Sequence, residues 1–298
     1  MKAVGCSTLV MLAAILIWTP VVEASWSYDP QVNNPICAET GIQSAVQAVG
    51  DGDGGYIAVW VDTRGIGTDI RAQRVDAAGN VSWVADGVTV CSAGGNQSAP
   101  RVIGDGAGGA VVVWLDTRNG PETDIYAQRI DADGAALWAA DGVAVCAAAG
   151  NQDAAVLAPD GAGGAYVAWE DLRSSPVDGD VFAQLVNSYG AALWASGGVA
   201  LSDSTGAQCS PAAVCDGSGG AIFVWSDSRP LYGGIHATRK DAAGADVWST
   251  TSSLLDGGAV AWGNPTALAD GWGGAFIACE ATMGSGELDI IGQRVSAS

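Results

Sequence analysis

The chain has 298 residues and a formal net charge of −20, with 43 Gly and 12 Trp. That charge repels phosphate backbones and anionic lipid headgroups, so nucleic acid and membrane surfaces are excluded as partners. Asp is frequent, at 26 residues against 6 Glu. Because Asp and Gly favour turns and helix-forming runs are few, the composition predicts an all-β protein.

The first 24 residues are typical of a secretory signal peptide. Lys2 precedes an apolar run from Leu9 to Trp18, and small residues end at Ala24. Because the run is too short to cross a bilayer, we predict a signal peptide over residues 1–24 and a single domain over residues 25–298. An uncleaved anchor helix is the alternative. Cleavage would give a secreted or periplasmic protein without membrane insertion, and we expect a monomer.

A phrase close to DGxGGxxxxWxDxR occurs five times, beginning at Asp51, Asp105, Asp160, Asp216 and Asp270. The copies are 54 to 56 residues apart, which together with four strand-like pieces per copy predicts a β-propeller. A strand follows each glycine cluster, whereas a dinucleotide-binding loop requires a helix, so the glycines are interpreted as turn residues. The predicted blades are residues 43–96, 97–151, 152–207, 208–261, and 262–298 together with 26–42.

The second copy illustrates the predicted strands. Strands over Gln97–Gly104 and Ala110–Asp116 are followed by a third from Asp124 and a fourth from Ala136 to Cys146. The last copy stops after its third strand, and residues 26–37 echo the missing fourth one. We therefore expect a five-bladed ring of four-stranded antiparallel blades, in which the N-terminal strand closes the last blade and removes an exposed sheet edge.

The motif DGxGGxxxxWxDxR followed by DIxAQRxDxxGxxxW resembles a repeat of secreted bacterial β-propeller proteins, and it covers essentially the whole mature chain. The turn DADGAALW, from Asp131 to Trp138, is similar to the Asp-box of sialidase-like propellers, but its spacing is longer. That likeness implies a structural role only. With five blades, the predicted fold also resembles that of tachylectin-like sugar binders and of five-bladed glycosidases. This is a resemblance of fold alone.

Residues that recur in every blade are interpreted as scaffold. The Asp and Arg of WxDxR lie two positions apart, where strand side chains share a face, so structural ion pairs are expected. The recurring Trp residues are expected to pack blade on blade. Cys37, Cys91 and Cys146 share one repeat position and are predicted to be free, mostly buried thiols. His236 is interpreted as a tolerated surface substitution. An Arg ring for anionic ligands and Trp stacking on sugars are the functional alternatives.

The loops between the second and third strands vary most, so the face that carries them is the predicted functional surface. The innermost strands are predicted to begin at the centre of this face, and Tyr232 is predicted to lie on its rim. The candidate ligand-binding residues are Gln43, Gln97, Gln152, Gln208, Trp262 and Tyr232. They would hydrogen-bond and stack a small polar ligand; alternatively, the Gln side chains bond the backbone. We predict a non-enzymatic binding or interaction module with a glycan or protein ligand.

A glycoside hydrolase or lyase is the alternative function, based on Asp153, Glu170 and Glu280. Hydrolysis needs two carboxyl groups at a fixed separation, and the innermost strands contribute only Asp153, so no catalytic pair is predicted. A structural surface-layer component is a third alternative. No cofactor is predicted, but calcium is left open because the turns at Asp51 and Asp131 gather oxygen atoms, with Asx turns as the alternative.

Overall fold

The structure is a computed structural model, which describes Trp26, Gln31 and residues 33–202, 204–229, 233–248, 252–255, 261–282 and 286–297. The predicted signal peptide over residues 1–24 and the candidate residue Tyr232 lie outside this part of the chain. Within it, no helix is long and apolar enough to cross a membrane.

The described strands form five antiparallel sheets. The first contains β1 (Gln43–Gly50), β2 (Tyr56–Asp62), β3 (Asp69–Val75) and β4 (Val88–Cys91). The second contains β5 (Gln97–Gly104), β6 (Ala110–Asp116), β7 (Asp124–Ile130) and β8 (Val143–Cys146). The third contains β9 (Gln152–Pro159), β10 (Ala165–Asp171), β11 (Asp180–Val186) and β12 (Val199–Ser202). The fourth contains β13 (Gln208–Cys215), β14 (Ala221–Asp227), β15 (Gly234–Lys240) and β16 (Ser252–Leu255), and the fifth contains β17 (Ala261–Ala269), β18 (Ala275–Thr282) and β19 (Leu288–Val295).

The predicted all-β class and the antiparallel four-stranded sheets are confirmed, and the arrangement is propeller-like. In the second sheet, β5 and β6 begin and end at the predicted residues. The outer strand β8 is shorter than predicted and covers only Val143–Cys146. The residues before it form a turn, where Trp138 bonds to the neighbouring sheet through Nε1.

The repeated Asp-Gly turns are Asx turns. Asp51 Oδ1 accepts hydrogen bonds from the backbone N–H groups of Asp53 and Gly55, at 2.9 and 2.8 Å. Asp131 Oδ1 makes the same two bonds in its own turn. Gly55 has no room for a side chain, because an added Cβ would lie 2.2 Å from the Val75 carbonyl oxygen. The turn glycines therefore serve close backbone approach between β2 and β3.

Hydrophobic clusters join the first sheet to the second, the second to the third, the third to the fourth and the fourth to the fifth. The predicted packing of the recurring Trp residues is confirmed at Trp114, Trp169 and Trp225, which have no exposed surface. Trp83 bridges two sheets by donating from Nε1 to the Ala132 carbonyl at 2.9 Å. Since one sheet cannot bury both of its own faces, these contacts between neighbours stabilise the fold.

The predicted Asp–Arg ion pairs are also confirmed. Arg118 Nη2 lies 2.6 Å from Asp116 Oδ2, and the Asp116 side chain is fully buried. Trp114 Nε1 donates to the same carboxylate at 2.8 Å. A second kind of pair joins Arg129 to Asp105 at 2.8 Å and anchors the Asp-Gly turn. These buried carboxylates are therefore neutralised scaffold groups.

Two side-chain predictions have different outcomes. The prediction of free thiols is confirmed for all six described cysteines, but only three of them are buried, and Cys37 is half-buried. The interpretation of His236 as a surface substitution is wrong, because His236 is only 7% exposed. Its ring stacks on Trp225 with 6.0 Å between centroids. The corresponding Phe182 stacks on Trp169 in the same way. The residue at this repeat position therefore packs against the buried Trp of the neighbouring strand, which the repeat spacing alone does not show.

Every innermost strand contains a bulge that the sequence analysis did not predict. The pairing with the next strand shifts register there, and one residue takes a positive φ between 47° and 53°. The five residues are Ala45, Ala99, Ala154, Ser210 and Asn264. A bulge re-aims the neighbouring side chains, so each sheet can present a different residue at this end of its innermost strand.

The fifth sheet has three strands among the described residues. Its last strand, β19, pairs with β18, and no pairing of the N-terminal residues with β19 is found in the described part of the chain. The prediction that an N-terminal strand completes this sheet and closes a ring therefore stays a prediction.

Candidate active site

Two acidic residues are paired on neighbouring strands at one end of the third sheet. Glu170 is the second-last residue of β10, and Asp153 is the second residue of β9. The two residues are direct partners in the antiparallel register. The bulge at Ala154 immediately follows Asp153. Like charges at directly opposite positions destabilise a sheet, so scaffold needs do not explain this pair.

The surroundings of Glu170 favour its protonated form. Burial and the negative charge of Asp153 both raise the pKa of Glu170, and a hydrogen bond from the Ser210 backbone N–H opposes them in part. No cation is among the groups that act on this carboxyl. Proton transfer at neutral pH needs a carboxylic acid with a raised pKa, and Glu170 has this property.

The fourth sheet and one loop hold Glu170 in place. Ser210, which donates to Glu170, is the positive-φ bulge residue of β13, with a φ of 53°. On the other side, a Cβ added to Gly179 would lie 2.8 Å from Glu170 Cγ. Glycine at this position therefore leaves the space that the Glu170 side chain occupies. Ser210 and Gly179 thus lie next to the Glu170 side chain and limit the space around it, which is what a positioned acid requires.

Asp153 has a different set of neighbours. Its Oδ1 accepts a hydrogen bond of 3.4 Å from the Thr123 hydroxyl, in the loop before β7. The Asp153 side chain is half-buried. Asp153 therefore interacts with a residue of the second sheet, whereas Glu170 interacts with a residue of the fourth sheet.

These two acids differ from the repeated scaffold acids. Asp116 and Asp105 each have an Arg partner within 2.8 Å, and these contacts lower the pKa of both aspartates although burial raises it. Glu170 and Asp153 take part in none of the described salt bridges. A carboxyl whose pKa is raised by burial and by a neighbouring charge, as that of Glu170 is, is a candidate for catalysis.

Cys209 lies beside this site and contacts its residues. It is half-buried at the repeat position that Asp153 holds in the third sheet. Burial and the nearby Glu170 charge raise the pKa of the Cys209 thiol, whereas hydrogen bonds with Ser210 and Ser226 lower it in part. A thiol with a raised pKa is a weak nucleophile. Among these groups, the two carboxyls are therefore the candidates for catalysis.

Glu280 is the counterpart of Glu170 in the fifth sheet. Its Oε2 accepts a 2.9 Å hydrogen bond from Asn264 Nδ2, and its register partner is Gly263. The third acid of the sequence analysis thus faces an amide and has no second carboxyl opposite it. This difference makes Glu280 a natural control for Glu170.

The predicted ligand-binding glutamines are in the interior. Gln97, Gln152 and Gln208 have no exposed surface. Their Nε2 groups donate to backbone carbonyls of the preceding loops, for example from Gln152 to Gly150 O at 2.8 Å. These contacts match the alternative interpretation, in which the Gln side chains hydrogen-bond to the backbone. A ligand-binding role for the glutamines stays a prediction.

The remaining predicted site residues are placed as follows. Gln43 is half-buried, and its Nε2 has no hydrogen-bond partner. Trp262 is half-buried and packs against the cluster between the fourth and fifth sheets, and its carbonyl oxygen accepts a bond from Ser226 Oγ. Tyr232 lies outside the described residues. Within the described part of the chain, no group of three His, Cys, Asp or Glu side chains is arranged to hold a metal ion, and calcium binding stays a prediction.

The comparisons with known proteins agree with a propeller-type fold. No family model matches the chain, and no curated protein matches it. Among solved structures, the polysaccharide lyase Uly1 is similar with a TM-score of 0.52 and 10% identity, over 86% of this chain and 58% of that chain. A thermostable family-43 glycoside hydrolase gives a TM-score of 0.41 and 12% identity, over 88% and 91%. The GH93 α-L-arabinofuranosidase of Fusarium graminearum, in complex with arabinobiose, gives 0.44 and 12%, over 82% and 72%.

The prediction of a non-enzymatic binding module is wrong. The similar solved structures named above are two glycoside hydrolases and a polysaccharide lyase. The innermost strands by themselves contain a single acid, Asp153, and therefore no catalytic pair. The register pairs Asp153 with Glu170 of the second strand, so the missing carboxyl is supplied across the strand pair.

Proposed function

We propose that the protein is a glycan-cleaving enzyme, a glycoside hydrolase that uses Glu170 and Asp153. The observation that carries this proposal is the pairing of the two acids without a neutralising cation. Similarity to the fold of a polysaccharide lyase supports a polymeric glycan as the substrate. We further propose that the five sheets are blades arranged around one axis. The site then lies on the face of the propeller where the innermost strands begin.

The two carboxyl groups have different roles. Glu170 is the general acid that donates a proton to the glycosidic oxygen, because its raised pKa favours the protonated form. Asp153 is the carboxylate that activates water or attacks the anomeric carbon. Glycosidases of both stereochemical classes use two acids in this way. Whether the anomeric configuration is retained or inverted then depends on the separation of the two groups in the substrate complex.

The test is the release of reducing ends from a panel of neutral and acidic polysaccharides by the full chain. We expect hydrolysis of at least one polymer, and a loss of at least about 100-fold in kcat/KM in Glu170→Gln, the range for removal of a general acid. Glu280→Gln is the matched control and should retain activity. Absence of hydrolysis on the whole panel, or equal loss in both variants, would reject the proposal. An unsaturated, ultraviolet-absorbing product would identify a lyase instead.

A further inference from the structure

A cavity of about 600 Å³ lies at the junction of the first and second sheets. Its walls are residues 65–67 and 69, at the loop between β2 and β3, and residues 92–96, between β4 and β5. Asp69, the first residue of β3, lines this cavity and is only 6% exposed. Because pockets for small molecules have volumes of about 300–1,000 Å³, the cavity is large enough for an organic ligand.

The carboxyl group of Asp69 lacks the partner that the scaffold acids have. Asp62, opposite it on β2, is bound by Arg64 at 2.7 Å. Among the described residues, no hydrogen bond and no ion pair reaches the Asp69 carboxyl. Burial raises its pKa, and the charge of Arg71 opposes this effect only from a distance. A buried carboxyl without a hydrogen bond is costly, so this group is suited to a donor from outside the chain.

The second sheet shows how the same position is satisfied from within the chain. Asp124 is the counterpart of Asp69, and its Oδ2 accepts a bond of 2.7 Å from Asn119 Nδ2. The same amide also donates to the Tyr126 hydroxyl at 3.0 Å. Directly after the repeated Arg, the first sheet has Gly65 where the second has Asn119. The amide donor is therefore missing beside Asp69, whose Oδ2 lies 3.1 Å from the position of a Cβ added at Gly65.

The other lining groups suit a sugar ring. Gly67 and Gly95 are exposed and leave backbone groups accessible from the cavity. Ile66 is 99% exposed and offers apolar surface to the C–H face of a ring. Such a mixture of apolar contact and a few polar groups is typical of small-molecule sites. Asp69 is the only acid among the described lining residues, so a metal ion would find little negative charge there.

The position of the cavity corresponds to that of the candidate active site, one junction further along the chain. The Thr68 carbonyl, directly before Asp69, accepts a 2.9 Å bond from the N–H of the first residue of β5. The Thr123 carbonyl accepts the same bond from the first residue of β9, at 2.8 Å, and the Thr123 hydroxyl contacts Asp153. Asp69 and Asp153 therefore lie at equivalent ends of neighbouring sheet junctions.

We infer that this cavity is a glycan-binding subsite, in which Asp69 accepts hydrogen bonds from the hydroxyl groups of a neutral sugar unit. A sugar hydroxyl takes the place that the Asn119 amide has in the second sheet. The sugar class rests on the proposed function, because the polymer that is cleaved supplies the bound unit. Acidic sugars are disfavoured by the Asp69 carboxylate and by the net charge of −20.

Gly65→Asn tests the inference by supplying the missing amide from within the chain. The backbone at Gly65 has no positive φ, so Asn is compatible with it. Binding is measured on an array of neutral and uronic-acid oligosaccharides with the full chain carrying Glu170→Gln, which leaves bound glycans intact. We expect a neutral glycan to bind, and its affinity to fall at least about 10-fold when Gly65→Asn is added, the range for one hydrogen bond to a charged group. Asp69→Ala should cause a similar loss.

Gly50→Asn is the matched control. It lies at the opposite end of the first sheet, and no atom is within 4 Å of a Cβ added there, so its binding should equal that of the parent. Gly65→Asn keeps Asp69 and copies an arrangement that the second sheet already has, so its Tm should not fall. Absence of binding to every neutral glycan, or equal affinities in Gly65→Asn and Gly50→Asn, would overturn the inference. Binding to uronic-acid glycans alone would also overturn it.

Hydrolysis of the same glycans by the chain without Glu170→Gln separates this inference from the proposed function. A subsite that holds the substrate and the transition state equally should raise KM in Gly65→Asn and leave kcat unchanged. Hydrolysis with an unchanged KM in Gly65→Asn would reject the subsite and retain the enzyme. Glycan binding that Gly65→Asn weakens, without hydrolysis by any form of the chain, would retain the subsite and reject the enzyme.

Discussion

Glu170 lies directly opposite Asp153 in the β9–β10 pair, and each carboxyl has its own neighbour from an adjacent sheet. Evolution of a stable sheet alone would favour an opposite charge or an apolar residue at one of these positions. A like-charged pair that is held in place costs stability, and such costs are typical of functional sites.

Glu170→Gln should therefore stabilise the protein at neutral pH. The folded-state pKa of Glu170 is raised by burial and by Asp153, so above the unfolded-state pKa the unfolded chain ionises this group more readily and the folded state is penalised. Below the unfolded-state pKa the group is protonated in both states and the penalty disappears. We expect a higher Tm for the variant at pH 7 and no difference near pH 3. An unchanged or lower Tm at pH 7 would contradict the raised pKa.

Removal of a scaffold carboxylate should have the opposite effect. Asp116→Asn leaves Arg118, whose side chain is 17% exposed, without its charged partner. We expect a loss of about 3 kcal/mol in the free energy of unfolding, the usual result of breaking a buried pair. Asp53 also pairs with an Arg, but its side chain is 78% exposed, so Asp53→Asn should cost less than about 1 kcal/mol. Equal losses in urea denaturation would refute the distinction.

Gly179→Ala should displace Glu170 without touching the substrate. The new Cβ would lie 2.8 Å from Glu170 Cγ, so the acid must change rotamer. A displacement of about 1 Å can cost roughly 100-fold in rate, and we expect a loss of this order in kcat/KM. The control is Gly50→Ala, because no atom lies within 4 Å of a Cβ added at Gly50. Wild-type kinetics in Gly179→Ala would show that Glu170 is not held by this contact.

The buried thiols should resist alkylation. Burial raises the pKa of Cys91 to about 12 and that of Cys146 to about 11, so little thiolate forms at pH 8. Treatment with iodoacetamide should modify both at least about 100-fold more slowly than a free cysteine. In denaturant, both should react at the ordinary rate. Rapid modification of Cys91 in the folded protein, detected by mass spectrometry, would contradict its burial.

The repeat made most of the fold predictable. The turn glycines and the alternation along Gln97–Gly104 and Ala110–Asp116 mark strands whose bounds the structure reproduces. Recurrence also separates scaffold from site, because Asp116 and Arg118 have counterparts in other sheets. The innermost bulges escaped prediction, since Ala99 and its counterparts are small residues without the Gly that usually marks a positive φ.

The site was less predictable for a related reason. Asp153 and Glu170 are 17 positions apart in the chain and become neighbours only through the β9–β10 register. The glutamines were predicted to bind a ligand because they recur at the start of the innermost strands. The structure buries Gln97 at that position, so recurrence there reflects a structural need that each sheet shares.

The dependence of rate on the leaving group tests the central claim most directly. A substrate with an acidic leaving group, such as a dinitrophenyl glycoside, needs little protonation, whereas an unactivated glycan depends on the general acid. We predict that Glu170→Gln keeps most of its activity on the activated substrate and loses at least about 100-fold on the natural polymer. An equal loss on both substrates would show that Glu170 does not donate the proton.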